Sequence, residues 1–316
     1  MPIAIALQGG AGTIVRREMN PEKEARYKSA LQEALHAGFQ ILSQKGTALD
    51  AVETTVKILE DCPLFNAGKG SVFTAEGTHE MDASIMDGRN FSAGAVSLVQ
   101  GIKNPISLAR LVMEKSGHVF LAGTGAIEFA RKMQCEFADD AYFFDQFRYD
   151  QWQAIKNTDH FQLDHTANKN DSGETSPNPS IGTVGAVACD HASNLAAATS
   201  TGGMTNKRWG RIGDSPVIGA GVYANNLTCA VSCTGSGEYF LRSVVAYDVS
   251  CLIEHKNYTL TQACEKVIHE RLLKLGGDGG LVAVNAKGEI CMSFNTEGMY
   301  RASKTPEAEN IAIYNP

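Results

Sequence analysis

The sequence predicts an α/β protein in which two stacked sheets of antiparallel type lie between helices. Three observations carry that expectation. Apolar residues recur at helical spacing over residues 21–61 and again over residues 238–275. Short apolar strands fall in central blocks, most densely after Thr183, where strand follows strand. Strand blocks bounded in the chain by helices are the pattern of sheets covered by helices. No internal repeat is present, and one domain over residues 1–316 is expected.

Taken in order, residues 3–7 read as a buried strand that enters a turn at Gln8-Gly-Gly-Ala-Gly12. Residues 21–45 are spaced as a helix, with Ala25, Leu31, Leu35, Phe39 and Leu42 inward and Gly46 as its stop. Thr47 caps a second helix that runs to Asp61, with Asp50 in its first turn, and Cys62-Pro63 breaks it. A glycine-punctuated loop, residues 64–73, runs into a strand. Residues 81–86 and 93–99 pair around Asp87-Gly88, and residues 105–115 and 124–133 are helical. Residues 157–182 change character: Asn, Asp, Ser, Thr, His and Pro, with almost nothing to bury. So long a linker is unusual unless it has a task. Strands follow at 184–189 and 195–201, then at 217–224 and 229–233 around Asn225-Asn226. Helices at about 238–254 and 261–275 precede a closing hairpin, 280–284 with 289–294.

Composition narrows the function. An apolar share of 43% with 20% charged residues supports a substantial core. Net charge is −7, from 28 basic and 35 acidic side chains, with no dense Lys/Arg run, which argues against nucleic acid or an anionic membrane as partner. The first apolar run is short and lacks a basic flank, and no stretch approaches the ~18 apolar residues of a membrane span. A cytoplasmic protein is expected, its eight cysteines free thiols.

The chemistry centres on Gly182-Thr183, where the polar linker ends and an apolar strand begins. A threonine that becomes a chain N-terminus carries a hydroxyl nucleophile and an amine base on one residue. Cutting there requires the Thr183 hydroxyl to attack the Gly182 carbonyl, giving an ester that water hydrolyses. Gly-Thr-Val is also an ordinary way into a strand, so the tripeptide alone leaves both readings open. Other clusters carry less. His79 and Glu80 fall in an expected strand and face apart, Cys229 and Cys233 lack a second pair and read as core thiols, and Gly276-Gly-Asp-Gly-Gly280 reads as a turn.

The ordered motifs resolve the choice. Gly182-Thr-Val-Gly-Ala-Val-Ala188, Asn194-Leu-Ala-Ala-Ala-Thr-Ser-Thr-Gly-Gly203, Gly210-Arg-Ile-Gly-Asp-Ser-Pro216, Gly219-Ala-Gly-Val-Tyr-Ala-Asn225 and Ser232-Cys-Thr-Gly-Ser-Gly-Glu238 fill the second half. Pro63-Leu-Phe-Asn-Ala-Gly-Lys-Gly70, Met81-Asp-Ala-Ser-Ile-Met-Asp-Gly88 and Gly94-Ala-Val96 stand in the first, and Phe294-Asn-Thr-Glu-Gly-Met-Tyr-Arg301 near the end. Together they resemble the plant-type L-asparaginase/isoaspartyl peptidase family of N-terminal-nucleophile (Ntn) hydrolases. The resemblance covers nearly the whole chain, apart from the linker and the extreme C-terminus.

The resemblance implies a four-layer αββα sandwich and self-cleavage into an α subunit, 1–182, and a β subunit, 183–316. It implies hydrolysis of L-asparagine or β-aspartyl dipeptides through an acyl-Thr183 ester, without an organic cofactor, by a dimer of cleaved αβ units. Thr183 is then the nucleophile and Thr201 its hydrogen-bond partner. Arg211 holds the substrate α-carboxylate and Asp214 the α-ammonium, a pairing that a loop fixed by Gly210, Gly213 and Pro216 can aim at a zwitterion. Thr234 and the Gly235 N–H form the oxyanion hole, the Gly237 carbonyl meets the ammonium, and Asn66 orients the cleavage site. A sodium ion is expected on the main-chain carbonyls of Leu59, Glu60, Cys62, Phe65, Ala67 and Lys69. Lys69 departs from the family's usual apolar residue, and Gln8 from its usual histidine. A glycosylasparaginase-like amidase, a threonine protease acting on folded proteins, and an uncleaved protein that binds aspartate-like amino acids are the alternatives.

Overall fold

Helices and strands alternate through the first half of the chain, and strands dominate the second. The structure, a computed structural model, describes residues 3–14, 16–158 and 182–315. Strand β1 (Ala4–Gly12) leads to helices α1 (Pro21–Ser43) and α2 (Ala48–Asp61), then β2 (Met81–Asp87), β3 (Ala93–Val99), α3 (Pro105–Lys115), β4 (Phe120–Ala122) and α4 (Gly123–Lys132). Two short helices, α5 (Asp140–Phe143) and α6 (Gln146–Ile155), come before the linker. After it come β5 (Val184–Cys189), β6 (Leu195–Thr201), β7 (Val222–Ala224), β8 (Ala230–Gly235), α7 (Gly237–Ser243), α8 (Val245–Lys256) and α9 (Leu260–Glu265). The last helix continues as a π-helical stretch, Lys266–Leu272, and β9 (Gly279–Val284), β10 (Ile290–Phe294), β11 (Gly298–Lys304) and β12 (Glu309–Tyr314) close the chain. Most of the linker, residues 159–181, lies outside the described residues.

The strands form an eight-stranded sheet in the order β12-β11-β1-β5-β6-β2-β3-β4 and a four-stranded sheet in the order β10-β9-β8-β7. All named pairs are antiparallel except β3 with β4. Three apolar clusters fill the molecule. In the first, Ile5 and Leu7 of β1 and Ala186 of β5 meet Leu31 and Leu35 of α1, Val52 and Val56 of α2 and Leu108 of α3. The second joins Val231 and Leu281 of the smaller sheet to Phe240, Val249 and Ala263 of the last three helices. The third lies between the sheets and mixes small residues, Ala4, Ala6, Ala197, Val187, Ala224, Ala230 and Val282 among them, with Met86, Leu195, Phe294 and Met299.

Several expectations needed correction. The turn at Gln8-Gly-Gly-Ala-Gly12 is the second half of β1, because a bulge absorbs its glycines: pairing runs Gln8↔Arg301, then Ala11↔Met299. Ala25 of α1 is exposed, since steps of four back from Leu35 and Leu31 reach Tyr27, which is buried in its place. The loop after Leu64 enters a 3-10 turn, Gly68–Gly70, and not a strand; β2 starts only at Met81. His79 therefore precedes the strand, buried 4.2 Å from the Phe73 ring, while Glu80 is half-buried. Among the described residues no group of three or more His, Cys, Asp or Glu is placed to share an ion. The strand expected from residue 217 is confined to Val222–Ala224, and the helix expected over 238–254 breaks at Val244, whose φ is 50°. Cys229 and Cys233 are buried free thiols, as read. Among the described residues no helix is long and apolar enough to cross a membrane.

Candidate active site

Period-two alternation places the functional side chains. On β5, Ala186 and Ala188 face the first helices, so Val187, Gly185 and Thr183 face the smaller sheet. On β6, Ala196 and Ala198 face the helices, which sends Ala197, Thr199 and Thr201 into the space between the sheets. On β8, Val231 and Cys233 turn to the last helices, leaving Ala230, Ser232 and Thr234 facing inward. The middle of the inter-sheet space is thus apolar. One end of it carries hydroxyls.

The β5–β6 ladder pairs Val184 with Ser200, so Thr183 stands beside Thr201. The Thr183 hydroxyl donates to Thr201 Oγ1 at 3.2 Å, and Thr201 Oγ1 also accepts from the Gly203 N–H at 3.0 Å. An acceptor thus stands where the nucleophile's proton has to move. Ser215 Oγ lies 3.4 Å from Thr183 Oγ1, and its carbonyl is held by the Ser84 hydroxyl at 2.5 Å. Gly182, Thr183, Thr201, Arg211, Asp214, Thr234, Gly235 and Gly237 line one small pocket, completed by Gly203, Met204, Gly213 and Ser215.

Thr234 Oγ1 is buried and has no partner among the described residues, as a donor aimed at a transient oxyanion requires. Asp214 is 3% exposed, one carboxylate oxygen lacks a partner, and burial pushes its pKa up to about 6 against the pull of Arg211. A Cβ at Gly237 would lie 3.0 Å from both Arg211 Nη2 and Asp214 Oδ1, so a side chain there would crowd the pair. Arg211 has a partner that sequence reading did not foresee. Its Nε and Nη2 each donate at 2.9 Å to the Glu238 carboxylate, 27 residues on. The guanidinium fork is thus already paired with a carboxylate at the pocket's edge.

Asn66 stands behind the pocket, not in it. Its Nδ2 donates to Gly203 O at 2.7 Å, its carbonyl accepts from Gly202 N at 3.0 Å, and Val72 N donates to its Oδ1 at 3.1 Å. It fixes the turn that holds Thr201. Asp82, the ladder partner of Thr201 on β2, and Lys207, whose ammonium donates to Glu80 O at 2.8 Å, form a buried charged layer beneath. Burial raises the Asp82 carboxyl against the pull of Lys207, and lowers Lys207 against the pull of Asp82 and Glu80. Sequence reading missed Ser215, Glu238 and this layer. Only Ser215 carried a local signal, a hydroxyl next to Asp214.

The six carbonyls expected to hold an ion belong to the end of α2 and the loop before and after Asn66. The backbone curls tightly there: a Cβ at Gly68 would fall 2.4 Å from Glu60 O, and one at Gly70 would fall 2.1 Å from Phe65 O. Gly68 has φ 52°, a conformation glycine adopts without penalty. Of the six, Glu60 O and Phe65 O are brought against this turn, and the carbonyls of Leu59, Cys62, Phe65 and Ala67 each accept a backbone N–H within it; carbonyl oxygen is the ligand type a hard cation takes. The Lys69 ammonium is engaged elsewhere, 5.2 Å from the Tyr142 ring centroid.

Fold and pocket together set a threonine hydroxyl at a strand end beside an arginine and a buried carboxylate. The profile described as asparaginase matches residues 1–313, and the chain belongs to that family. It is 50% identical over 298 residues to an isoaspartyl peptidase of Salmonella typhimurium, covering 94% of each chain. It is 49% identical over 298 residues to an isoaspartyl peptidase of Escherichia coli (strain K12), covering 94% of this chain and 91% of that one. A probable isoaspartyl peptidase/L-asparaginase 2 of Arabidopsis thaliana is 43% identical over 325 residues, with 98% of each covered.

Proposed function

We propose that the chain is a self-processed threonine hydrolase that cleaves the β-amide of L-asparagine and the N-terminal β-aspartyl bond of dipeptides, releasing L-aspartate. The observation that carries this reading is the Thr183–Thr201 hydroxyl pair, 3.2 Å apart, in the same pocket as Arg211, Asp214 and Gly237. One end of the pocket suits an amino-acid zwitterion and the other suits acyl transfer.

In the uncut chain the Thr183 nitrogen is an amide, so the proton of its hydroxyl moves along the bond to Thr201 as the oxygen attacks Gly182. That proton, relayed by the Thr201 hydroxyl, passes to the peptide nitrogen, which leaves as the new α-amine, and water hydrolyses the ester to a Gly182 carboxylate and a free Thr183 hydroxyl. The freed amine, with an ordinary pKa of about 7.7–8.0, then serves as base near neutral pH. It takes the hydroxyl proton as Thr183 attacks the β-carbonyl of the substrate and returns it to the departing ammonia or amine. Thr234 and the Gly235 N–H stabilise the oxyanion, and the amine activates the water that releases aspartate from the ester. The products of maturation are an α subunit, 1–182, and a β subunit, 183–316.

The same reading takes the two sheets and their helices as the αββα sandwich of Ntn hydrolases, supported by the three apolar clusters. It places two αβ units in a dimer. Eight cysteines, all free thiols, favour the reducing conditions of the cytoplasm. The carbonyl cradle of Leu59, Glu60, Cys62, Phe65, Ala67 and Lys69 fits a sodium ion, which would brace the loop that carries Asn66. Replacing sodium by a bulky organic cation at equal ionic strength should lower the melting temperature by several degrees. An unchanged melting temperature removes the ion from the account.

Matured protein should hydrolyse L-asparagine and β-Asp-Leu. N-acetyl-β-Asp-Leu should react at least ~100-fold more slowly, because losing the ammonium leaves the buried Asp214 carboxylate unpaired at a cost of about 3 kcal/mol. Equal rates on blocked and free peptides would overturn the assigned recognition.

A further inference from the structure

Gln8 is fully buried in β1, on the face that Ala4 and Ala6 turn to the smaller sheet. Both ends of its amide are used. Oε1 accepts from the Gly10 N–H at 2.8 Å, across the bulge where Gly10 has φ 111°. Nε2 crosses between the sheets and donates to the Cys233 carbonyl on β8 at 3.3 Å. Cys233 immediately precedes Thr234, the buried hydroxyl without a partner. In the other direction, Gln8 pairs with Gly185 of β5, two residues beyond Thr183. One side chain therefore spans from the strand next to the nucleophile to the strand of the oxyanion donors.

We propose that Gln8 is a positioning residue for acyl transfer: its amide sets the separation of Thr183 on one sheet from Thr234 and Gly235 on the other. The inter-sheet cluster mixes alanines and valines with Met86, Leu195, Phe294 and Met299, contacts that are not directional, and the neighbouring polar ties, Thr199 to Ser232 at 2.7 Å and to Gly221 O at 3.1 Å, involve β6 and not β1. Oxyanion donors act only when held at the position the charge reaches in the transition state. A displacement of about 1 Å can cost about 10²-fold in rate. Because the ground-state zwitterion is held by Arg211 and Asp214, the loss falls on kcat and spares KM. This inference rests on the threonine-hydrolase reading.

Two variants test it. Gln8→Met keeps length and removes both bonds; Gln8→Glu keeps the acceptor for Gly10 and sets a carboxylate oxygen against the Cys233 carbonyl. In each, kcat for β-Asp-Leu should fall about 10- to 100-fold with KM within about threefold of wild type. Cleavage at Thr183, followed by intact mass over time, should slow in parallel, since it needs the same oxyanion donors. Circular dichroism and melting temperature identify a variant that has not folded, and the other then decides. Wild-type kcat in either folded variant, or a loss confined to KM, overturns the proposal. If the wild-type chain hydrolyses neither substrate, the parent reading fails separately, and the cleavage rate still reports on Gln8.

Discussion

Thr183→Ala is expected to purify as one uncut chain and to hydrolyse neither L-asparagine nor β-Asp-Leu, whereas the wild-type chain resolves into two fragments. Both reactions lose the same atom. Removal of a hydroxyl nucleophile costs on the order of 10⁶-fold in kcat where it has been measured, and the neighbouring hydroxyls do not stand in its place: Thr201 Oγ1 is 3.2 Å and Ser215 Oγ 3.4 Å away, the latter with its backbone pinned by Ser84. Stability should change little, because the lost bonds, to Thr201 and Ser215, are worth about 1 kcal/mol each. Intact mass, melting temperature and an ammonia-release assay on one preparation separate these effects. Thr183→Ser should still split and still turn over, more slowly. A Thr183→Ala protein that breaks at the same bond would show that another group does the cutting, and the mechanism would fall.

The second large effect is at the zwitterion clamp. Arg211→Ala should lower kcat/KM on L-asparagine by about 10²- to 10³-fold, the consequence of losing a bidentate, charge-assisted pair worth about 3–4 kcal/mol. Arg211→Lys should recover little, since an ammonium cannot reproduce a planar fork. Glu238→Gln should act the other way on KM, because it weakens the side chain with which the substrate carboxylate competes for Arg211. Asp214 adds a pH signature whose sign follows from its raised pKa. Below about 6 its carboxyl is neutral and no longer attracts an ammonium, so kcat/KM falls as pH drops through that value. The α-amine of Thr183 contributes its own loss below about 8. The logarithmic slope should therefore steepen from one to about two under pH 6, and Asp214→Asn should remove only the steeper part. A wild-type slope that never exceeds one would show that Asp214 is charged throughout.

Where local pattern and tertiary environment agree, the sequence was readable. Residues 184–189 and 195–201 are unbroken apolar runs between turn residues, and they are β5 and β6 with the same bounds. Thr47 caps α2 through its own side chain, a wholly local interaction. The failures have a common physical origin in long-range contact. Gly9 and Gly10 look like a turn, yet β11 pairs on one side of them and β5 on the other and pulls the segment into a sheet. Strands β11 and β12 were not foreseen, because the outer one has a short apolar run without period-two alternation and only Ile313 fully buried. Helices α5 and α6 are short and poor in aliphatic residues; what holds them is a set of rings, with Trp152 stacked on Phe73 at 5.6 Å and Phe143 5.9 Å from His79. At the site, Thr183, Thr201, Arg211, Asp214, Thr234 and Gly237 were named from the residues and the family likeness and fall in one pocket. Glu238 was not, since nothing within a few residues of Arg211 reveals which carboxylate it meets.

The strand order of the larger sheet bears on what cleavage can do. Reading across β12-β11-β1-β5-β6-β2-β3-β4, strands from before residue 182 and after residue 183 interleave, so that β1 is flanked on both sides by strands of the other piece. A cut between residues 182 and 183 would therefore leave three full ladders, β11 with β1, β1 with β5 and β6 with β2, joining the two pieces. The four-stranded sheet lies wholly within residues 183–316, but the eight-stranded sheet belongs to neither piece alone. If the proposed cleavage occurs, it should follow folding, because the larger sheet is woven from both sides of the bond. The two fragments, made separately, are partners that never had the chance to be threaded together.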